Sequence, residues 1–162
     1  MRGLALFAAG FLFGSVWMQT SAAQENKSAG LRLNHVGIAV KDLKQSVDFY
    51  TNVMGFRVAY SLPNPNGNPT TTFLQINRDT FLEVAQSNAN LPVGITHIGI
   101  WSEDANATAA QLRQAGATAP DPRPGGPSGS RLVNVTDPNG IRVEVNEQPA
   151  GSLMRKAMDA WK

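Results

Sequence analysis

The chain contains two histidines, His35 and His97, and each lies in a version of one motif, NHVGIAV at residues 34–40 and THIGIWS at residues 96–102. They stand 62 residues apart. Two glutamates, Glu83 in FLEVAQ and Glu144 in RVEVNE, repeat at nearly the same interval, 61 residues counted from 83 to 144. One internal repeat therefore relates His to His and Glu to Glu. A single strand histidine is more often a core or surface residue than a ligand, and a single strand glutamate is ordinarily solvated. The joint pattern points further, to a divalent metal ion held by His35, Glu83, His97 and Glu144. Two imidazoles and two carboxylates suit Zn, Ni, Co, Mn or Fe, and four protein ligands leave room for one or two waters.

The elements needed to bring these four side chains together repeat as well. Each motif reads as a short strand ending near an aspartate, Asp42 or Asp104, suited to cap the helix that follows. Leu43, Val47, Tyr50 and Met54 recur at helical spacing in the first half, and Ala105, Ala109, Leu112 and Ala115 do so in the second. Gly55 and Gly116 stand where helix ends favour a left-handed residue. Strands are expected at 56–62, 71–76 and 80–86, then near Ala117 and at 130–135 and 141–146. The loops LPNPNGNP and PDPRPGGPSG and the DPNG turn separate them. Both halves thus read βαβββ, an α+β fold of two paired modules in a curved mixed sheet around a cleft. Strand alternation sets His35, Gly37 and Ala39 on one face of the first strand, and Arg142, Glu144 and Asn146 on one face of the last. The glycines two residues after each histidine keep that face open. Pseudo-twofold pairing of the halves would converge the four polar side chains.

At 162 residues, with a formal charge of +2 and scattered Lys and Arg, the chain suits one globular unit and shows no nucleic-acid patch. The absence of cysteine excludes disulfides, thiolate ligands and a cysteine nucleophile. Residues 1–23 have one Arg, an uncharged apolar run and a small-x-small ending at Ser21-Ala22-Ala23, which predicts a cleaved signal peptide. The expected mature chain starts at Gln24, has 139 residues and a charge of +1, and is exported, periplasmic or secreted, without stable membrane association. The alternative is a membrane anchor, since no charge interrupts residues 3–24. Residues 24–30 read as a flexible lead-in. Residues 148–162 read as an amphipathic C-terminal helix with Leu153, Ala157 and Trp161 in one stripe, packing on the body or a second subunit.

With these motifs in hand, the chain from 31 to 147 resembles the vicinal oxygen chelate superfamily, with module one at 31–88 and module two at 93–147. The group spans glyoxalase I, methylmalonyl-CoA epimerase, extradiol dioxygenases, and fosfomycin- and bleomycin-resistance proteins. The carrying segments are NHVGIAVKDLKQSVDFYTNVMGF, THIGI and DPNGIRVEV. The resemblance implies a metal-dependent lyase or isomerase of the glyoxalase I type acting on a small-molecule substrate. In it Glu144 is the catalytic base and Glu83 a ligand or second base. A non-catalytic small-molecule-binding protein of the resistance type and an Fe(II) extradiol dioxygenase are the alternatives, the latter matched by His35, His97 and Glu144. Ala39 stands where many glyoxalases carry an Arg for the glutathione carboxylate. Arg131 and Arg142 could hold an anionic substrate, although arginines on strands are more often ordinary exposed charges. The family also implies a homodimer, in which the linker SNANLPVG at 87–94 could open the halves so that each site joins two chains.

Overall fold

A computed structural model describes residues 30–64 and 67–162; the signal-peptide and lead-in expectations for residues 1–29 lie outside it. Two copies of the same unit follow one another. The first is β1 (Arg32–Val40), α1 (Leu43–Asn52), β2 (Arg57–Pro63), β3 (Pro69–Asn77) and β4 (Thr80–Gln86). The second is β5 (Gly94–Trp101), α2 (Ala105–Gln114), β6 (Arg123–Pro124), β7 (Arg131–Thr136) and β8 (Arg142–Glu147), followed by α3 (Leu153–Asp159). Both main helices begin at the anticipated aspartates. The Asp42 side chain accepts from the Gln45 N–H, and the Asp104 side chain from those of Asn106 and Ala107. Each cap stabilises its helix by about 1 kcal/mol. Gly55 and Gly116 follow the helices with φ of 75° and 92°, a region that only glycine enters without strain.

The strands form one curled sheet in the order β2-β3-β4-β1-β5-β8-β7-β6. The two units join through the antiparallel β1–β5 pair, and within each unit the first strand runs parallel to the last. The convex face is apolar in both halves. Leu43 of α1 packs on Leu74 and Val84, and Ala105 and Ala109 of α2 pack on Val133 and Val145. The alanine-rich contact of α2 explains why its periodicity is weak: small residues let the helix lie close to the sheet.

The halves differ at their outer edges. β2 is a full strand, whereas residues near Ala117 form no strand and β6 is only two residues long. Pro120, Pro122, Pro124 and Pro127 crowd this stretch, and proline cannot donate to a ladder. The chain makes a 3-10 turn at Gly126–Ser128 instead.

The C-terminal segment also departs from expectation. Its helix is seven residues long and capped by Ser152, and the side chains it buries fully are Met154 and Met158; of the expected stripe, Ala157 packs partly buried against the same cluster, while Leu153 and Trp161 are half-buried. These methionines pack against Phe73, Phe81 and Trp101 on the concave face. Full burial of each is worth about 2 kcal/mol, and helix α3 thereby closes part of the hollow that the curled sheet creates. Among the described residues no helix is long and apolar enough to cross a membrane.

Candidate metal centre

His35 on β1 and His97 on β5 meet across the central strand pair. His35 is register partner of Gly99, and Gly37 is register partner of His97. The glycines have a specific purpose here. A Cβ at Gly37 would collide with the His97 ring, and one at Gly99 with the His35 ring. Each glycine therefore makes the space that the other repeat's imidazole occupies. The rings lie edge to face with centroids 5.0 Å apart, and their Nε2 atoms are 2.9 Å apart.

Glu83 on β4 completes a tight trio. Its Oε2 is 3.3 Å from His97 Nε2 and 3.6 Å from His35 Nε2, and ligand atoms of His35, Glu83 and His97 all lie within 4.8 Å of one another. Glu144 on β8 stands beside the trio, with Oε1 3.7 Å from His35 Nε2. The fit to a metal can be judged from these spacings. Bonds of about 2.1 Å at tetrahedral or octahedral angles separate neighbouring ligand atoms by roughly 3.0–3.4 Å, and the trio's distances of 2.9, 3.3 and 3.6 Å straddle that range. Two imidazoles and a carboxylate, with a second carboxylate adjacent, are also a suitable donor set for a divalent ion.

The two histidines are held differently. Asn34 is fully buried and donates from Nδ2 to the Asp79 carbonyl, so its Oδ1 is left to accept from His35 Nδ1 at 3.0 Å. That places the proton of His35 on Nδ1 and turns the Nε2 lone pair toward the centre, as a ligating imidazole requires. His97 Nδ1 instead receives the guanidinium of Arg142 at 2.6 Å, with the Thr96 hydroxyl at 2.9 Å. Arginine only donates, so His97 Nδ1 accepts and its proton sits on Nε2, pointing at His35 Nε2 and Glu83. The network is internally consistent, and in it the His97 proton sits on Nε2, the nitrogen that faces His35 and Glu83.

Electrostatics separate the members further. Burial is the main cause that lowers His35 to a pKa of about 4, with His97 and Arg142 adding to it and Glu83 opposing. At neutral pH His35 is uncharged, and its approaches to Glu83 and Glu144 are not ion pairs. Burial raises Glu83, but the hydrogen bond from His97, the charge that His35 and His97 carry only where acid protonates them, and Arg142 outweigh it and leave this carboxyl below its usual range. Burial raises Glu144 above the usual range, reinforced by Glu83 and opposed by His97, Arg142 and Arg123. Two carboxylates at one site thus have acidities pushed apart, a recurrent arrangement where one group stays charged and another moves a proton.

A cavity of about 100 Å³ adjoins the trio, walled by Tyr60, Leu62, Phe73, Leu132 and Met154. Tyr60 stacks on Phe73 at 4.6 Å, and burial, then Glu83 and Glu144, raise its phenol well above the usual range. Neither Tyr60 nor Met154 was legible as a site residue, because each enters through packing between strands or from α3. Asn34 and Thr96 had a visible signal: each directly precedes a histidine. Of the expected substrate-holding arginines, Arg142 faces the centre but is taken up by His97. Arg131 is a correction. It pairs with Glu147 at 3.0 Å and with Asn106 of α2, outside the cleft. The β7–β8 register aligns Asn134, not Arg131, with Glu144.

Fold and cleft together define a protein of two fused βαβββ units that gather histidine and glutamate side chains where the units join. The sequence profile described as "Glyoxalase/Bleomycin resistance protein/Dioxygenase superfamily" matches residues 32–145. The chain belongs to this superfamily. It is 29% identical over 132 residues to a lactoylglutathione lyase of Escherichia coli O157:H7, covering 75% of this chain and 96% of the relative. It is 28% identical over 93 residues to the mitochondrial methylmalonyl-CoA epimerase of Homo sapiens, covering 51% and 53%. Among solved structures it resembles methylmalonyl-CoA epimerase of Streptomyces coelicolor in complex with 2-nitronate-propionyl-CoA, at 28% identity, TM-score 0.63, and coverage of 75% and 96%.

Proposed function

We propose that the protein is an exported, metal-dependent enzyme of the glyoxalase and epimerase type, which moves a proton at a carbon next to a carbonyl of a small substrate. The observation that carries this reading is the convergence of His35, Glu83 and His97 into one compact donor set with Glu144 beside it. His35, Glu83 and His97 would hold a divalent ion, with Glu144 as a fourth, looser ligand. The ion would supply positive charge beside the oxygens of the substrate and so ease loss of the neighbouring proton. Glu144, whose carboxyl is raised by burial, would take that proton and return it to the adjacent carbon or to the opposite face of the same one. Glu83, held charged, would stay a ligand. Tyr60 and Phe73 would exclude water from the reacting carbon.

The trio by itself also satisfies the two-histidine, one-carboxylate pattern of Fe²⁺ oxygenases. The adjacent second carboxylate favours proton transfer over that alternative. Export rests on the composition of residues 1–23, and sequencing the amino terminus of the native protein tests it: an intact Met1 in a cytoplasmic fraction would sink it.

The decisive assay is deuterium uptake from D₂O into lactoylglutathione, methylmalonyl-CoA and simple α-hydroxyketones, with the bound metal measured in parallel. Glu144→Gln should reduce uptake by at least ~100-fold and keep most of the metal, whereas Glu83→Gln should lose both. Undiminished exchange in Glu144→Gln would remove Glu144 from its role. Iron at full occupancy with oxygen uptake on catechols would favour the dioxygenase.

A further inference from the structure

Tyr60 reaches the centre through a bulge at the edge of the sheet. Strand β2 pairs Val58 with Leu74, a residue of the convex core, and then pairs Tyr60, not Ala59, with Phe73. The extra residue turns the phenol onto the concave face; in regular pairing Tyr60 would lie opposite Thr72, on the convex side. The pairing continues inward from there. Phe73 is register partner of Glu83, Glu83 of Gly37, and Gly37 of His97. Tyr60, Phe73, Glu83 and His97 therefore stand in one transverse line on the same face, and two of them belong to the trio. The corresponding line of the second unit runs through His35, Gly99, Glu144 and Asn134. It has no outer member like Tyr60 among the described residues, because β6 pairs only with Arg131 and Leu132. The phenol thus enters the cleft from the first unit, and Glu144 enters it from the second.

The phenol is fixed in place but uncommitted. Its ring stacks on Phe73 with 4.6 Å between centroids and 18° between planes, and Phe73 in turn meets the edge of the His35 ring. The hydroxyl has no hydrogen-bond partner among the described residues, and unlike the amide oxygens of Asn134 and Gln148 it is not sealed from solvent. Tyr60 lines the cavity together with Glu83 and Glu144. The charges of both carboxyls reach the phenol, although it bonds to neither, and with burial they keep its proton on the oxygen at neutral pH. A space with a free donor on one side and a carboxyl on the other suits a group that accepts at one atom and gives up a proton at the next.

We infer that Tyr60 is a further catalytic residue, whose hydroxyl donates a hydrogen bond to the substrate oxygen on which negative charge develops as Glu144 removes the proton from the neighbouring carbon. The inference rests on the proton-transfer reading above. In that step the C–H bond breaks and its proton goes to the Glu144 carboxylate. The electron pair left behind forms the carbon–carbon double bond of an enolate, and the carbonyl π pair moves to oxygen. Return of the proton from Glu144 reverses both shifts. Tyr60 keeps its own proton throughout. Because its ring is held by Phe73 before any substrate arrives, the bond needs little reorganisation and counts most in the charged state.

The test compares the wild type with Tyr60→Phe, both as full chains loaded with Co²⁺. Phenylalanine keeps the stack on Phe73 and removes only the oxygen, which leaves no protein partner unmatched. Two probes of similar size are titrated and read from the Co²⁺ absorption spectrum. Acetohydroxamate binds as an anionic pair of oxygens, and hydroxyacetone is neutral. Tyr60→Phe should weaken acetohydroxamate by roughly 10- to 100-fold, the range of a hydrogen bond to a charged group, and hydroxyacetone by less than about fivefold. Co²⁺ affinity should be unchanged. Equal losses for the two probes, an unchanged acetohydroxamate affinity, or a parallel loss of Co²⁺ would overturn the inference while the metal site stands. A wild-type spectrum that neither probe perturbs would instead refute the metal-site reading and the inference with it.

Discussion

His35 and His97 occupy one position in two copies of the same unit, yet their outer nitrogens meet opposite partners. His35 Nδ1 faces an acceptor, Asn34 Oδ1, and His97 Nδ1 faces a donor, Arg142. The difference originates two residues before each glutamate. There the first unit has Phe81, register partner of His35, and the second has Arg142. Phe81 is 1% exposed and offers no hydrogen bond, so His35 is oriented by Asn34 and kept neutral by apolar surroundings. Arg142 brings a permanent donor against His97. A duplicated scaffold thus has one histidine whose Nε2 lone pair faces the centre and one whose Nε2 carries the proton there; under the proposed metal binding the second would have to move that proton to Nδ1, where Thr96 Oγ1 could accept it. Binding of a metal through both Nε2 atoms would therefore displace Arg142 and free its charge for the cleft.

The comparison breaks most severely if either histidine is removed. His35→Ala and His97→Ala should each weaken Zn²⁺ or Co²⁺ binding by more than about 100-fold, beyond the loss typical of outer-sphere partners. Isothermal titration measures this, and wild-type affinity in both variants would rule the site out. Because the structure closes all four ligand positions within one chain, co-refolding the two variants should restore nothing. Recovery of one site in each mixed dimer, about a quarter of all sites on random mixing, would reveal instead the exchanged dimer that the family resemblance implies.

Changing the partners should move affinity in opposite directions. Asn34→Leu removes the acceptor that fixes His35 and should cost about 10- to 100-fold in metal affinity. Arg142→Met removes the donor that opposes His97 and should raise affinity by up to about tenfold, provided that Thr96 is intact. Losses of equal size in both variants would show that Arg142 supports the site and does not compete with the metal.

A smaller effect concerns pH in the metal-free protein. Above about pH 6.5 neither the folded nor the unfolded state binds a proton at His35. Below it the unfolded chain takes up a proton that the folded protein refuses until about pH 4. The contribution of His35 to stability is therefore full above 6.5 and is lost as pH falls through that window. Urea unfolding in the presence of chelator should show a steeper decline between pH 6.5 and 4 for the wild type than for His35→Gln. Parallel curves would mean that His35 is not held neutral.

Much of this was legible in the sequence because it is carried by spacing. The repeat predicted two βαβββ units, the aspartate caps and the glycines after the helices, and alternation set Gly37 on the face of His35. What alternation lacks is register between distant strands. It could not tell that Arg131 aligns with Glu147, on the face away from Glu144, while Asn134 faces it. The short terminal helix was expected and packs on the body, but its fully buried stripe was not, for a related reason. Leu153, Ala157 and Trp161 and the pair Met154 and Met158 are both at helical spacing. The choice was made by the concave aromatic surface of Phe73, Phe81 and Trp101, to which three different strands contribute. The prolines of the second long loop were visible, but their consequence, a strand reduced to Arg123–Pro124, needed the neighbour to be known.

The most direct test is nitrogen NMR of ¹⁵N-histidine-labelled protein during titration with Zn²⁺. Two imidazoles must be followed, and each ring nitrogen reports protonation or metal binding separately. Without metal, His35 should carry its proton on Nδ1 and His97 on Nε2. At one equivalent, both Nε2 resonances should move to metal-bound positions and His97 should switch to Nδ1–H, so that the two repeats become alike. Nε2 resonances that remain in place at saturating Zn²⁺ would contradict the metal centre formed by His35, Glu83 and His97.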